Sequence, residues 1–203
     1  VYLDNAATTP MDEEVMERVQ EAMRDSFANS SARYRIRLDA KNVIERSTQS
    51  IKECLRIPSS HRLVFTSGGT ESNNLFIKGL CFPDKKTSFL GLEHPSVLES
   101  LKTFSEYGNE PISLLPFQRE GRLDLSSLSI LSENRVKLLC LSHVNNELGT
   151  VNNPLNIISA LARESPQTKL FLDGVQAIGK IKLDPEIWKG LAGYSISGHK
   201  IHG

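Results

Sequence analysis

The residues best placed to do chemistry close the chain, where Ser197-Gly-His-Lys-Ile-His-Gly203 follows a short apolar segment. A lysine at such a strand end can be partly desolvated, and a desolvated amine attacks a carbonyl readily. Ser197 and His199 beside Lys200 offer donors to an anion. Together they suit Schiff-base chemistry on a phosphorylated aldehyde. Taken by itself the tail favours a plainer reading, because most lysines that follow strands are solvated surface charges.

Four further clusters change that balance. Thr66-Ser-Gly-Gly-Thr-Glu-Ser-Asn-Asn74 precedes a helical pattern. Its glycines let a ligand approach the backbone, and the new helix directs unpaired N–H groups outward, with the Thr70 hydroxyl as an extra donor. The run reads equally as a glycine turn with Thr70 or Ser67 as helix cap. No Gly-Lys-Ser/Thr follows, so it is not a Walker loop. His94, in Leu92-Glu-His-Pro95, can stack on a flat ring or move protons, although a lone strand-end histidine is more often structural. Ser142-His-Val-Asn-Asn-Glu-Leu-Gly149 is polar beyond what a turn needs. Asn145 and Asn146 are turn residues or ligands of a ring oxygen or substrate.

The last cluster is Asp173-Gly-Val-Gln176. A carboxylate just beyond an apolar strand is costly without a charged partner, and a protonated pyridine nitrogen would supply one. Gln176 would reach the ring hydroxyl. Asp173 alone reads as a cap of the following segment. A phosphate cradle, a stacking ring, a ring-oxygen donor, a nitrogen partner and an amine at successive strand ends favour one ligand, pyridoxal 5'-phosphate.

Elements must bring these residues to one edge. Leu63–Thr66, Ser88–Leu92, Ile112–Leu115, Val136–Leu141, Leu170–Leu172 and Tyr194–Ser197 read as strands. Helical patterns at Ser72–Leu80, Ser96–Tyr107, Leu123–Leu131 and Leu155–Arg163 separate them, and two more helices come first, near Asp12–Arg24 and Leu38–Arg56. Strands joined through helices predict an α/β fold with a mostly parallel sheet flanked by helices, and ligands in such sheets bind beyond the carboxyl ends of the strands. No linker or repeat marks a boundary, so residues 1–203 read as one domain with an N-terminal helical segment, 1–57.

Composition excludes other classes. Lys plus Arg and Asp plus Glu are 24 each, so nothing in the charge favours nucleic acid or an anionic membrane. No apolar run approaches the ~20 residues that span a bilayer. The opening Val1-Tyr-Leu-Asp lacks the basic region and apolar core of a signal peptide. Cys54, Cys81 and Cys140 are scattered and lie in apolar contexts, which predicts buried, inert thiols in a reducing compartment and neither a disulfide framework nor a metal site. The five histidines lack metal-ligand spacing.

Tyr2-Leu-Asp-Asn-Ala-Ala-Thr-Thr-Pro10, Thr66–Asn74, Glu93-His94, His143–Gly149, Asp173–Gln176 and Ser197–Gly203 resemble, in order, the motifs of class V, fold-type I pyridoxal-phosphate enzymes. The nearest likeness is to cysteine desulfurases of the nitrogen-fixation and iron–sulfur-cluster type. The resemblance covers essentially all 203 residues. It implies that Lys200 forms the Schiff base, Asp173 pairs with the pyridine nitrogen and Gln176 with the ring hydroxyl. His94 stacks over the ring and moves protons. Gly69, Thr70, Ser197 and His199 hold the phosphate, and Asn146 faces the substrate. The implied substrate is L-cysteine. Sulfur leaves as a persulfide on a mobile cysteine, alanine is released, and the sulfur passes to an iron–sulfur scaffold or another acceptor.

A homodimer in the cytoplasm or mitochondrial matrix is implied as well. A selenocysteine lyase, an aminotransferase, or an inactive truncated homologue serving as a dimerisation or binding module are the alternatives.

Several departures accompany the likeness. Family members are about twice as long, which implies that the small domain, the nucleophile loop and the carboxylate-binding arginine lie outside this segment. None of Cys54, Cys81 and Cys140 stands at the nucleophile's position. Asn29-Ser-Ser-Ala-Arg-Tyr-Arg-Ile-Arg37 replaces the usual Asn-Pro-Ser-Ser-x-His-x-x-Gly, leaving Arg33, Arg35 and Arg37 as a solvated basic face or as a change in a substrate-proximal loop. Gly69 stands where alanine is common, and His202 where tyrosine is frequent.

Overall fold

The computed structural model describes residues 1–35, 37–80, 85–103, 105, 110–114 and 121–203. They form two compact units, Thr66–Ser197 and Val1–Phe65 with Gly198–Gly203.

The larger unit is built on five strands: β1 (Thr87–Leu90), β2 (Ile112–Leu114), β3 (Leu138–Ser142), β4 (Lys169–Asp173) and β5 (Leu191–Ser195). Their order is β2-β1-β3-β4-β5 and every pairing is parallel. All five residues of β3 are buried, as are Leu170–Leu172 in β4, as expected for central parallel strands covered on both faces. Helix α3 (Gly69–Leu80) leads into β1, and the crossovers carry α4 (Pro95–Lys102), α5 (Ser129–Glu133) and α6 (Pro154–Glu164).

Ile77 of α3, Val97 and Leu101 of α4, Leu138 and Cys140 of β3 and Phe171 of β4 make one buried cluster. Phe76 stacks on Phe171 with ring centroids 4.5 Å apart. That stack needs Gly193, because a Cβ there would lie 2.1 Å from the Phe76 ring. The register pairs Ser142 with Asp173 and Asp173 with Ser195, so three polar residues share one edge of the sheet.

Helix α6 begins at Asn153, whose Oδ1 accepts from the N–H groups of Leu155 and Asn156. Asn153→Ala is therefore expected to cost about 1 kcal/mol, measured by urea unfolding.

The smaller unit contains α1 (Glu13–Asp25) and α2 (Arg37–Cys54). Asp12 caps α1 through the Glu14 N–H, with Glu13 and Glu14 in the first turn and Arg24 in the last, matching the helix dipole. The turn Asp4–Pro10 grips Gly198–Gly203 in the same unit. Thr9 N–H donates to His199 O at 2.9 Å, and His202 N–H to Thr9 Oγ1 at 2.7 Å. His202 has φ of 64°, a left-handed conformation that histidine tolerates better than most residues.

Several expectations need correction. Leu63–Thr66 is not a strand: no described strand forms a ladder with it, and Val64 and Phe65 are exposed. An apolar run becomes a strand only where a neighbour takes its backbone groups. The last strand starts at Leu191, before the expected Tyr194, and includes Gly193, against which the Phe76 ring packs. Leu123–Leu131 divides into a 3-10 turn, Leu125–Leu128, and α5.

Cys140 is buried as expected, but Cys54 is exposed, at the last position of α2. Cys81, Leu115 and the end of the expected Ser96–Tyr107 helix lie outside the described residues. Arg33 and Arg35 are exposed. Among the described residues no helix is long and apolar enough to cross a membrane.

Candidate active site

Asp173 is the last residue of β4 and is buried. Its Oδ1 accepts from the Val175 N–H at 3.0 Å and the Ser195 hydroxyl at 3.4 Å, and its Oδ2 from Asn73 Nδ2 at 2.7 Å. A carboxylate removed from water is tolerated with such donors, and they aim its oxygens. Asn73 reaches it from α3, a hundred residues earlier in the chain, and also donates to Ser96 Oγ at 2.9 Å. The Asn73 Oδ1 is buried with no hydrogen-bond partner among the described residues.

Ser96 leads to His94, the N-cap of α4. The His94 Nδ1 accepts from the Ser96 N–H at 3.1 Å and lies 2.8 Å from Ser96 Oγ. The residue itself is exposed, so the ring is fixed at one nitrogen and open elsewhere.

The glycine loop meets the same strand edge. Gly69 starts α3, and a Cβ on it would lie 2.7 Å from Val175 Cγ2 and 3.7 Å from Ser197 Cβ. Ser197 is buried and Thr70 is exposed. The first N–H groups of a helix have no partner within it, so this corner is suited to an anion. Glu71 already takes the Ser67 N–H at 2.5 Å, which leaves the ligand-facing role to the residues after Ser67.

The structure separates the two asparagines. Asn145 is buried; its Nδ2 donates to Leu92 O, and its Oδ1 accepts from the Glu147 and Leu148 N–H groups. It is wholly engaged in holding the turn against the end of β1. Asn146 is half-buried, and its amide forms no hydrogen bond with the described residues. Gln176 is buried and its Oε1 accepts from Lys180 Nζ at 2.5 Å.

Two ionisable residues at this edge carry no role in the sequence reading beyond membership of a motif. Glu93 is buried and accepts from the Ser142 hydroxyl at 2.5 Å. Burial, against the help of Ser142 and reinforced by the Asp173 charge, pushes its carboxyl up to about 8. His143 is buried with Nδ1 2.8 Å from the Tyr194 hydroxyl, and burial pulls it down to about 4. Burial and then the Asp173 charge push the Tyr194 hydroxyl up, so it stays protonated beside His143. Gly174 makes room for that ring, since a Cβ there would lie 1.9 Å from Tyr194 Cε1. The signal available in the sequence was an acid and a histidine adjoining apolar strands.

His199 and Lys200 belong to the smaller unit. Lys200 Nζ donates to the carbonyls of Ala6 and Ala7, the second at 2.5 Å, and His199 Nδ1 lies 3.0 Å from Thr8 Oγ1. The Asp4–Pro10 motif is thus the mount of the lysine segment, a role its sequence did not disclose. Gly69 and Thr70 open α3, Asp173 ends β4, and His94, Asn146, Gln176 and Ser197 follow β1, β3, β4 and β5 in the larger unit. Their chemistry fits pyridoxal phosphate: a cradle that a Cβ would fill, hydroxyl and N–H donors for a phosphate, and a buried anion for a protonated ring nitrogen.

Residues 1–203 match the family described as Aminotransferase class-V. The chain is 35% identical over 207 residues to the cysteine desulfurase IscS of Dictyoglomus turgidum, covering 100% of this chain and 51% of that protein. It is 33% identical to the cysteine desulfurase IscS of Methanosarcina thermophila, covering 100% of this chain and 50% of that protein. Among solved structures it is similar to a NifS-like protein, with a TM-score of 0.90 at 27% identity over 100% of this chain and 56% of the other. It is also similar to SspA in complex with cysteine, with a TM-score of 0.89 at 30% identity over 100% and 58%. The chain spans about half the length of the curated relatives it matches. On the match along its whole length, and with the parallel sheet of fold-type I enzymes, the chain belongs to the aminotransferase class-V family.

Proposed function

We propose that this chain is the cofactor-binding part of a pyridoxal-phosphate-dependent cysteine desulfurase. The observation that carries the proposal is Asp173, a buried carboxylate at the carboxyl end of a central parallel strand, aimed by Asn73, Val175 and Ser195. Relatives named cysteine desulfurase and a similar structure holding cysteine support the substrate. When bound, the cofactor supplies an electron sink for the amino-acid carbon skeleton.

The chain's own residues do the rest. Asp173 would pair with a protonated ring nitrogen, and Gln176 would meet the ring hydroxyl. Gly69, Thr70, Ser197 and His199 would hold the phosphate. Lys200 would present its amine to the cofactor aldehyde, and Asn146 would meet the substrate. His94 presents a ring face and a proton at Nε2. A homodimer in the cytoplasm or mitochondrial matrix, passing sulfur to an acceptor protein, completes the proposal. The cysteine that receives sulfur is not among Cys54, Cys81 and Cys140.

The test is to supply the purified protein with pyridoxal phosphate and L-cysteine and to measure alanine, protein-bound sulfur and keto acid. Alanine in step with persulfide or sulfide supports desulfuration. Keto acid without sulfur release supports an aminotransferase, and alanine only from selenocysteine a selenocysteine lyase. Binding of a partner with no cofactor uptake supports the binding module.

A further inference from the structure

Four polar groups of the larger unit form one line across the strand edge: the Asp173 carboxylate, the Asn73 amide, the Ser96 hydroxyl and the His94 imidazole. The successive separations are 2.7 Å from Asp173 Oδ2 to Asn73 Nδ2, 2.9 Å from Asn73 Nδ2 to Ser96 Oγ, and 2.8 Å from Ser96 Oγ to His94 Nδ1. Hydrogen counting assigns each proton. An ionised carboxylate only accepts, so the nitrogen of the Asn73 amide, not its oxygen, must face Asp173. The same nitrogen contacts Ser96 Oγ and gives it the second hydrogen. Ser96 has a single hydroxyl hydrogen, and with its oxygen already accepting, that hydrogen goes to His94 Nδ1. The Ser96 backbone N–H also points at Nδ1, so this nitrogen carries no proton. The ring proton of neutral His94 is on Nε2.

The orientation has a visible penalty. Asn73 is 1% exposed, and its Oδ1 is left without a partner among the described residues. A buried amide that served packing alone would not forgo its acceptor, since native interiors rarely leave one unmet. Asp173 imposes the orientation.

We infer that Asn73 and Ser96 are positioning residues that couple Asp173 to His94 and hold His94 as its Nε2–H tautomer. Asp173 orients the amide, the amide orients the hydroxyl, and the hydroxyl holds the ring. A hydroxyl that accepts from an amide is also a better donor to the next group, so the last bond is stronger for the presence of the second. The inference deepens the proposed function and rests on it for its consequence: the carboxylate assigned to the ring nitrogen and the imidazole assigned to the ring face act as one preset unit. The hydrogen-bonded line itself does not depend on a cofactor.

The test is nitrogen NMR of the whole chain labelled with ¹⁵N-histidine, read through two-bond proton–nitrogen correlations without cofactor. In the wild type, His94 shows a pyridine-like Nδ1 and a pyrrole-like Nε2. Ser96→Ala moves the Nδ1 resonance downfield as a donor is lost. Asn73→Leu, which does not touch His94, moves it in the same direction by less. In the Ser96→Ala background, Asn73→Leu moves it no further. Circular dichroism and the other histidine resonances identify a variant that has failed to fold. Asp173→Asn, which keeps the side-chain volume and frees Asn73 to turn its oxygen towards Ser96, is then the variant that moves the same resonance.

A His94 proton on Nδ1, or equal shifts from Asn73→Leu in both backgrounds, overturns the coupling. Cofactor uptake with no His94 response to Asn73→Leu or Asp173→Asn overturns the coupling and spares the functional reading. The expected shifts in a protein that takes up no pyridoxal phosphate uphold the coupling and count against that reading.

Discussion

Asp173→Asn is expected to lower the affinity for pyridoxal phosphate by about 10- to 100-fold while leaving the protein folded. A hydrogen bond to a charged group contributes about 1.5–3 kcal/mol, and each 1.4 kcal/mol is a factor of ten. The substitution removes the charge and keeps the shape. The asparagine oxygen still accepts from the Val175 N–H, and its new amide faces Asn73, whose unpartnered Oδ1 can turn to accept from it. The scaffold therefore tolerates the change, and the loss falls on the ligand. Fluorescence titration with the cofactor measures the first quantity and thermal unfolding the second. A variant that binds the cofactor as the wild type does would remove Asp173 from the ring nitrogen.

Stability should fall by about 2 kcal/mol as pH rises from 6.5 to 8, and Glu93→Gln should abolish that fall. Glu93 has its carboxyl at about 8 in the folded chain against 4.5 unfolded. Its contribution is complete below pH 4.5 and is lost as pH climbs to about 8, because the unfolded chain ionises it freely and the folded chain does not. His143 works in the opposite sense. It lies at about 4 folded against 6.5 unfolded, so its contribution is complete above pH 6.5 and is lost as pH falls towards 4.

Between pH 4.5 and 6.5 the two slopes offset each other. Above pH 6.5 Glu93 is the one of the two that still changes, at about 1 kcal/mol per pH unit. Urea unfolding at several pH values reads both. Wild-type protein gives a plateau followed by a decline, and Glu93→Gln gives stability that rises to pH 6.5 and stays level. A decline that survives in Glu93→Gln assigns the effect to another group.

The alternation of apolar runs with helical patterns was enough to read the parallel sheet, because central strands such as Leu138–Ser142 are apolar until their last residue. Lys200 and Asp173 drew notice for a related reason: polar side chains just beyond apolar segments stand out against the residues before them, although each alone reads as a surface charge or a cap. What the chain order hides is whatever depends on a distant neighbour. Leu63–Thr66 looks like a strand until no described strand pairs with it. Gly193 stands before the expected strand, and only the fold brings Phe76 against it. Asn145 and Asn146 are alike in sequence, and only the Leu92 carbonyl, brought alongside by the sheet, draws one of them into the turn. The contact of Asn73 with Asp173 joins residues a hundred positions apart, and nothing near either of them announces it. Thr8 and Thr9 are separated even further from the histidine they hold.

The most direct measurement is the absorbance of the purified protein with pyridoxal phosphate, compared with Lys200→Ala. The account predicts a band at about 400 nm, as for a cofactor bonded to a lysine amine, that is absent in the variant. Borohydride should fix the cofactor to the wild-type chain alone, on the peptide containing Lys200. No band in the wild type, or an equal band in Lys200→Ala, would contradict it.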